Sequence, residues 1–160
     1  VQAMLVFMVI YMIDVTGFFA CLAALSRGGR PLETMDDVAG LIRERPGLAL
    51  AMTAFSLSAL GLPPFSGFWA KVFVFKAALG SGFGIAVTLG LVGSVVAAFY
   101  YLRLIKVMWF DAAVGKTDAP PLEAKSIGLA LALFSFPVVL IALIWLYPAA
   151  GRAAHAFGLA

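Results

Sequence analysis

Four long apolar stretches alternate with shorter polar ones along this chain. Residues 1–25, 48–79, 83–110 and 126–147 each supply the about 20 mostly apolar residues that a helix needs to cross a bilayer. The ten-residue alternating segments of a transmembrane barrel are absent. The pattern therefore predicts an all-α, polytopic membrane protein with four transmembrane helices. A polar loop over 26–47 joins the first two, and its 35–45 stretch reads as a short interfacial helix with Asp36 and Asp37 near the start. The Gly80-Ser81-Gly82 turn is minimal and makes the second and third spans antiparallel neighbours. A second polar loop over 111–125 contains Pro120-Pro121, and an Ala-rich tail covers 148–160. Val1 already stands inside an apolar run, so the chain reads as a piece of a longer subunit, a single membrane region rather than several domains.

Composition sharpens this picture by exclusion. The chain is 64% hydrophobic with mean hydropathy +1.07, and 12% of it is charged, about half the share of a soluble domain. A soluble globular domain and a disordered tail are both excluded. The net charge of +3 is scattered rather than gathered in a patch, so no nucleic-acid partner is expected. The single cysteine, Cys21, excludes a disulfide framework and any Cys-based metal site, and no metal site is expected. The placement of the cations is more telling. Arg27, Arg30, Arg43, Arg45, Arg103, Lys106, Lys116 and Lys125 belong to the side holding the first and third loops, against Lys76 and Arg152 on the other. The positive-inside bias then puts loops 26–47 and 111–125 in the cytoplasm and the C-terminal tail outside. Trp109, and on the opposite side Trp145 and Tyr147, fall where interfacial aromatic belts sit.

The second stretch cannot be one regular helix. Pro63 and Pro64 lack N–H groups and clash with the carbonyls of Ala59 and Leu60, while Gly61 and Gly67 let the backbone turn sharply. Two half-helices are predicted, about 48–60 and 67–79. Broken backbone at membrane depth is tolerated only inside protein or beside water, and transporters place ion sites there. Lys71 lies about one turn into the second half, about 13 Å of helix from the outer end, too far for easy snorkelling. Burial and the positive end of a half-helix both weigh against its ammonium form, and arginine in its place would stay charged. A lysine that gains and loses a proton at midplane is a proton carrier; the plain alternative is a permanently charged lysine paired for packing. Asp14, near the middle of the first span, is a possible partner of Lys71, or else an interior acid bonded to backbone or to a neighbouring subunit. Lys76 snorkels to the outer surface or stands at the mouth of an exit path.

The run from Ser56 through Leu60-Gly61-Leu62-Pro63-Pro64-Phe65-Ser66-Gly67-Phe68-Trp69-Ala70-Lys71 to Phe75 resembles the discontinuous helix of the antiporter-like membrane subunits of respiratory complex I, the bacterial NADH:quinone oxidoreductase. Phe99-Tyr100-Tyr101-Leu102-Arg103, Trp109-Phe110-Asp111 and the Asp37-Val38-Ala39-Gly40-Leu41 loop resemble its subunit N (NuoN) branch in particular. The resemblance covers nearly the whole chain and matches the last four helices of that family, about a third of a full subunit. It implies a proton-translocating subunit in which Lys71 is the terminal lysine of the proton path, exchanging protons with the outer side. It also implies a bacterial inner (plasma) membrane location with a periplasmic C-terminus. The implied partners are other membrane-arm subunits, the upstream helices of the same subunit, lipid and protons. No cofactor is expected on this chain; FMN, Fe–S clusters and quinone would sit elsewhere in the electron-transport complex. The family's earlier lysine and glutamate belong to helices this sequence does not contain. The Pro-Pro…Gly-Phe…Lys signature is common to the superfamily, so a subunit of a multisubunit Na⁺/H⁺ antiporter is the alternative, and a structural membrane-arm scaffold a third.

Other polar residues carry plainer readings. Arg103 and Lys106 anchor a helix end. Tyr100 and Tyr101 fit belt or packing roles, with hydrogen bonding inside the bundle the less common alternative, and Thr53, Ser56 and Ser58 bond to helix carbonyls or hold water leading toward Lys71. Gly90, Gly93, Ser94, Ala97 and Ala98 form a small-residue packing surface, and His155 is a surface residue. No nucleotide loop, Fe–S ligand set, haem site or nucleophile triad is present.

Overall fold

A computed structural model describes residues 1–133, 135 and 139–156. The described residues are mostly helical: α1 (Gln2–Ala23), α2 (Leu41–Glu44), α3 (Pro46–Leu60), α4 (Ser66–Gly80), α5 (Gly84–Phe110), α6 (Leu122–Leu133) and α7 (Val139–Ala156). Among them α1 and α5 are each long and apolar enough to cross a membrane, and α3 is a shorter apolar helix. The stretch over 48–79 is two helices, α3 and α4, joined by residues 61–65. The stretch over 126–147 falls on α6 and α7; of the residues between them only Ser135 lies within the described part.

Helix α1 is the hub and packs on α3, α4, α6 and α7. Its buried residues Val6, Ile10, Asp14, Gly17 and Cys21 recur at three- and four-residue spacing, the period that puts side chains on one face of a helix. The larger core joins Cys21, Leu25, Leu41, Leu48, Met52, Phe55 and Met108; a smaller one joins Val6, Ile10, Ala70 and Ala150. A Cβ at Gly17 would overlap the Phe55 ring, so α1 and α3 meet closely. Helix α5 packs on α3 and α4 but buries little, with Ile85 83% and Val95 73% exposed.

Several details depart from the pattern. A two-residue antiparallel ribbon pairs Ser26 with Pro31 and Arg27 with Arg30 around the Gly28-Gly29 turn, a strand pairing too short for periodicity to register. The 35–45 stretch is not one helix: a 3₁₀ turn over Asp36–Val38 precedes α2, with Gly40 at positive φ between them. Helix α7 continues through Pro148 to Ala156, where a tail was expected. The Ala-rich segment is a strong helix former, Ala150 is buried, and the Gln2 amide donates to the Tyr147 carbonyl.

The two polar loops dock on each other. The Asp118 carboxylate accepts the Ser26 hydroxyl and the Gly28 and Gly29 N–H groups, while Arg45 donates to the Thr117 and Asp118 carbonyls. The Glu44 carboxylate accepts the Thr117 N–H at 2.8 Å. Asp37 accepts the Thr34 hydroxyl and the N–H groups of Thr34 and Glu33, and pairs with Arg27. The Thr34 hydroxyl above all holds the Asp37 carboxyl below the usual carboxylate range; for Asp118 the Gly29 N–H does so first, then the Ser26 hydroxyl.

Candidate functional site

The last four carbonyls of a helix lack intrahelical partners. In α3 these belong to Leu57, Ser58, Ala59 and Leu60, and all four are satisfied. Gly61, at φ +90, donates its N–H to the Ser58 and Leu57 carbonyls, and the Leu62 N–H reaches back to Leu57 at 3.1 Å. This is a Schellman end, and it needs the left-handed conformation that glycine adopts without a Cβ penalty. The Lys71 Nζ donates to the other two, Ala59 at 2.8 Å and Leu60 at 3.1 Å. Lys71 therefore leans back from α4 and ties the two helices together. Its Nζ lies at the C-terminal, partly negative end of α3 rather than against the positive helix end expected from sequence.

The opposite side of the same junction is held by hydroxyls. Asp14, 5% exposed, accepts a hydrogen bond from Ser58 at one carboxyl oxygen and from Ser135, at 2.6 Å, at the other. The Ser66 hydroxyl lies 2.8 Å from those of both Ser58 and Ser135. The Gly67 N–H, one of the unpaired donors of the first turn of α4, bonds to the Ser58 hydroxyl at 2.9 Å. A Cβ at Gly67 would overlap the Ser58 carbonyl, so α4 starts directly against the end of α3.

Between α1, α4 and α5 lies a cavity of about 240 Å³ lined by Asp14, Ser58, Gly67, Lys71 and Tyr101, among others. Gly90, Gly93, Ser94 and Ala97 line its α5 wall, so the small-residue stripe leaves space here instead of only closing a helix contact. A second cavity of about 220 Å³, lined by Tyr11, Phe18, Phe55 and Ser56, also borders Asp14 and Tyr101.

The structure thus gathers Lys71, Asp14, Gly61 and Gly67 about one junction. It does not pair Lys71 with Asp14: among the described residues the carboxylate is bonded to Ser58 and Ser135, and the lysine to backbone. Pro63 and Pro64 are exposed, with a cis peptide between them, and Lys76 is exposed on the far part of α4. Ser66 and Ser135 were missed as site residues. The available signal was a lone hydroxyl in each apolar context, Pro-Phe-Ser-Gly and Leu-Phe-Ser-Phe. Tyr101 lines both cavities, an interior position rather than a belt one. Trp109 donates to the Thr53 hydroxyl, which itself bonds to the Ala49 carbonyl, and the Ser56 hydroxyl bonds to the Met52 carbonyl. Among the described residues no group of three His, Cys, Asp or Glu side chains is placed to hold a metal ion.

Comparison with known proteins gives a consistent result. Residues 1–97 match the family described as NADH:quinone oxidoreductase/Mrp antiporter, TM. The chain is similar to NADH-quinone oxidoreductase subunit N of Caulobacter sp. (strain K31), 69% identical over 98% of this chain and 33% of that protein. Among solved structures, respiratory complex I from Thermus thermophilus with bound aureothin matches with a TM-score of 0.76 and 31% identity, over 91% of this chain and 33% of the matched one. The Mrp complex from Dietzia sp. DQ12-45-1b matches with a TM-score of 0.79 at 21% identity, over 96% of this chain and 37% of the matched one, a likeness of fold. The chain spans about a third of the length of the relatives it matches. With the family match running from Val1 through Ala97, more than half of its length, the chain belongs to the NADH:quinone oxidoreductase/Mrp antiporter transmembrane family.

Proposed function

We propose that this chain is part of a proton-translocating subunit N of bacterial NADH:quinone oxidoreductase, in which Lys71 carries the proton. One observation carries the reading: the Lys71 Nζ bridges two helix ends beside a cavity it shares with Asp14. An amine held by two backbone carbonyls can leave them as its charge changes. Proton gain and loss at Lys71 would thereby be linked to the fit of α3 against α4, a two-state element of the kind that alternating access requires. The chain itself does no electron transfer; redox energy released at FMN, Fe–S clusters and quinone elsewhere in the complex would drive the change. Lys76, farther along α4, lies toward the outer end of that path.

In this reading α3 and α4 form one broken span and α6 with α7 another, giving four crossings of the bacterial inner membrane. The docked loops, which carry the arginines and lysines, face the cytoplasm, and the C-terminus is periplasmic. Neighbouring membrane-arm subunits, the rest of the subunit and lipid cover the outer faces. The docking of Asp118 on the 26–31 ribbon supports both loops lying on one side.

The test uses the full-length subunit in its complex. Lys71→Arg keeps a donor for the Ala59 and Leu60 carbonyls but cannot deprotonate. It is expected to assemble while NADH-driven acidification of membrane vesicles falls to a small fraction of the parental rate. Lys71→Met strands two carbonyls, at about 1–3 kcal/mol each, and is expected to lower the assembled level as well. Parental acidification by both variants would assign these helices a scaffold role. A second reading, a subunit of a Na⁺/H⁺ antiporter assembly, is favoured by the fold likeness to the Mrp complex. Flavin and iron–sulfur absorbance that co-purifies with the protein supports the first reading; its absence supports the second.

A further inference from the structure

Asp14, Ser58, Ser66 and Ser135 form a closed ring: carboxyl to Ser58, Ser58 to Ser66, Ser66 to Ser135, and Ser135 back to the second carboxyl oxygen. The four links measure 2.5 to 2.8 Å, and each needs one hydrogen. A hydroxyl supplies one hydrogen and two lone pairs. Ser58 has spent one lone pair on the Gly67 N–H. In the ring it must therefore donate once and accept once. The three hydroxyls then supply three hydrogens for four links. With an ionised carboxylate one link is left as two oxygens facing each other without a hydrogen, in a site where Ser58, Ser66, Ser135 and Asp14 are all buried. A fourth hydrogen on the carboxyl fills every link: Asp14 then donates to one of Ser58 and Ser135 and accepts from the other, and all four links point the same way round.

We infer that Asp14 is a proton-holding site, kept as the neutral acid by this ring rather than serving as the counter-ion of Lys71. The surroundings agree. Among the described residues no ion pair reaches Asp14; the titratable groups on its cavities are Tyr11 of α1, Lys71 of α4 and Tyr101 of α5. The positive end of α4 would favour an anion nearby, but the Gly67 N–H is turned to the Ser58 hydroxyl and not to the carboxylate. The cavity has room for several waters at about 30 Å³ each, so the proton has an exit toward the space that Lys71 also lines. When it leaves, the carboxylate stays behind and one link loses its hydrogen, so the ring opens. That ring ties α1 to the end of α3, the start of α4 and Ser135, which makes occupancy by one proton a lock on four parts of the fold.

The inference stands beside the role proposed for Lys71 and is tested separately. Infrared absorption of the full-length protein in its native membrane is recorded at neutral pH, for the parent minus Asp14→Asn. A protonated-carboxyl C=O band that moves down on transfer to D₂O is expected. A carboxylate pair of bands instead, or a band untouched by D₂O, overturns the inference. Ser66→Ala breaks two links and should move that band, whereas a band that stays fixed would place the proton elsewhere. Asparagine presents an acceptor oxygen on one side and an N–H donor on the other, as the neutral acid presents an oxygen and an O–H, so Asp14→Asn should keep the assembled level within about twofold, while Asp14→Leu lowers it about tenfold. Equal losses for both variants would show that the negative charge is what the site needs. A carboxyl band that persists in Lys71→Arg membranes leaves the ring standing whatever becomes of vesicle acidification, so the two ideas fail independently.

Discussion

Gly67 has no freedom to change because of what faces it. Its missing side chain is filled by the Ser58 carbonyl, a backbone atom that cannot swing aside, and its N–H is one of the bonds holding the Ser58 hydroxyl. Gly67→Ala must push α4 off the end of α3, a strain of about 1–3 kcal/mol or more, and is expected to lower the thermal stability of the assembled protein. Gly93 on α5 is the control, since a Cβ there meets nothing within 4 Å and its backbone is helical. Gly93→Ala should leave stability unchanged or raise it by up to about 1 kcal/mol. A thermal-shift comparison of the two variants separates close approach from mere small size. Lys71 illustrates the same point for a charged residue. Its identity could be read from the sequence, but the carbonyls it caps became visible only once α4 was folded back on α3.

At the scale of elements, the paired loops are the part most open to pH. The carboxyls of Asp37 and Asp118 are both held below their ordinary value, Asp118 by hydrogen bonds across the two docked loops and Asp37 by hydrogen bonds within the first loop. A carboxyl lowered on folding contributes stability above its unfolded pKa of about 3.9, and that contribution is lost as pH falls through the folded value. Hydrogen exchange of the Gly28, Gly29 and Asp118 amides should therefore be slow at neutral pH and accelerate in acid below the ordinary carboxylate range. Asp118→Ala should show the fast exchange already at neutral pH, with Lys116 and Lys125 opened to protease. Equal exchange in parent and variant would mean that the Asp118 carboxylate does not hold the loops together. The charge count placed these loops on one side of the molecule. The residues that join them, Ser26, Arg45, Thr117 and Asp118, carry no periodic signal and were not legible.

For the molecule as a whole, the uneven covering of α5 is the main feature. Its small residues look inward on the cavity, and Ile85, Leu89, Val95 and Phe99 are bare in the isolated chain. An apolar face of this extent is the kind that a lipid or protein surround covers, as the proposed membrane reading expects. Val95→Asp should cost about 2.5–3.5 kcal/mol by insertion scales and strongly reduce the membrane-assembled level, read on a native gel. Val95→Leu should be neutral. An aspartate variant that assembles normally would show that this face meets water. The same exposure explains why apolar length alone overstates what each stretch does. Residues 48–79 are long enough to cross a bilayer as α5 is, yet they become two helices that meet on a lysine and a serine ring.

Sequence alone determined that most of the chain is helical, that the 48–79 stretch ends one helix and begins another about Pro63-Pro64, and which polar residues stand in apolar runs. These follow from local causes: apolar length, prolines without N–H groups, a charge set in an apolar run. It also carried the family likeness through the Pro-Pro…Gly-Phe…Lys run. What only the tertiary structure decided was partnership. Lys71 capped α3 instead of pairing with Asp14, and Asp14 closed a ring through Ser135, 121 positions away along the chain. Hydrogen bonds of that kind depend on oxygens lying within about 3 Å across separate helices, a condition set by packing and invisible in any one segment.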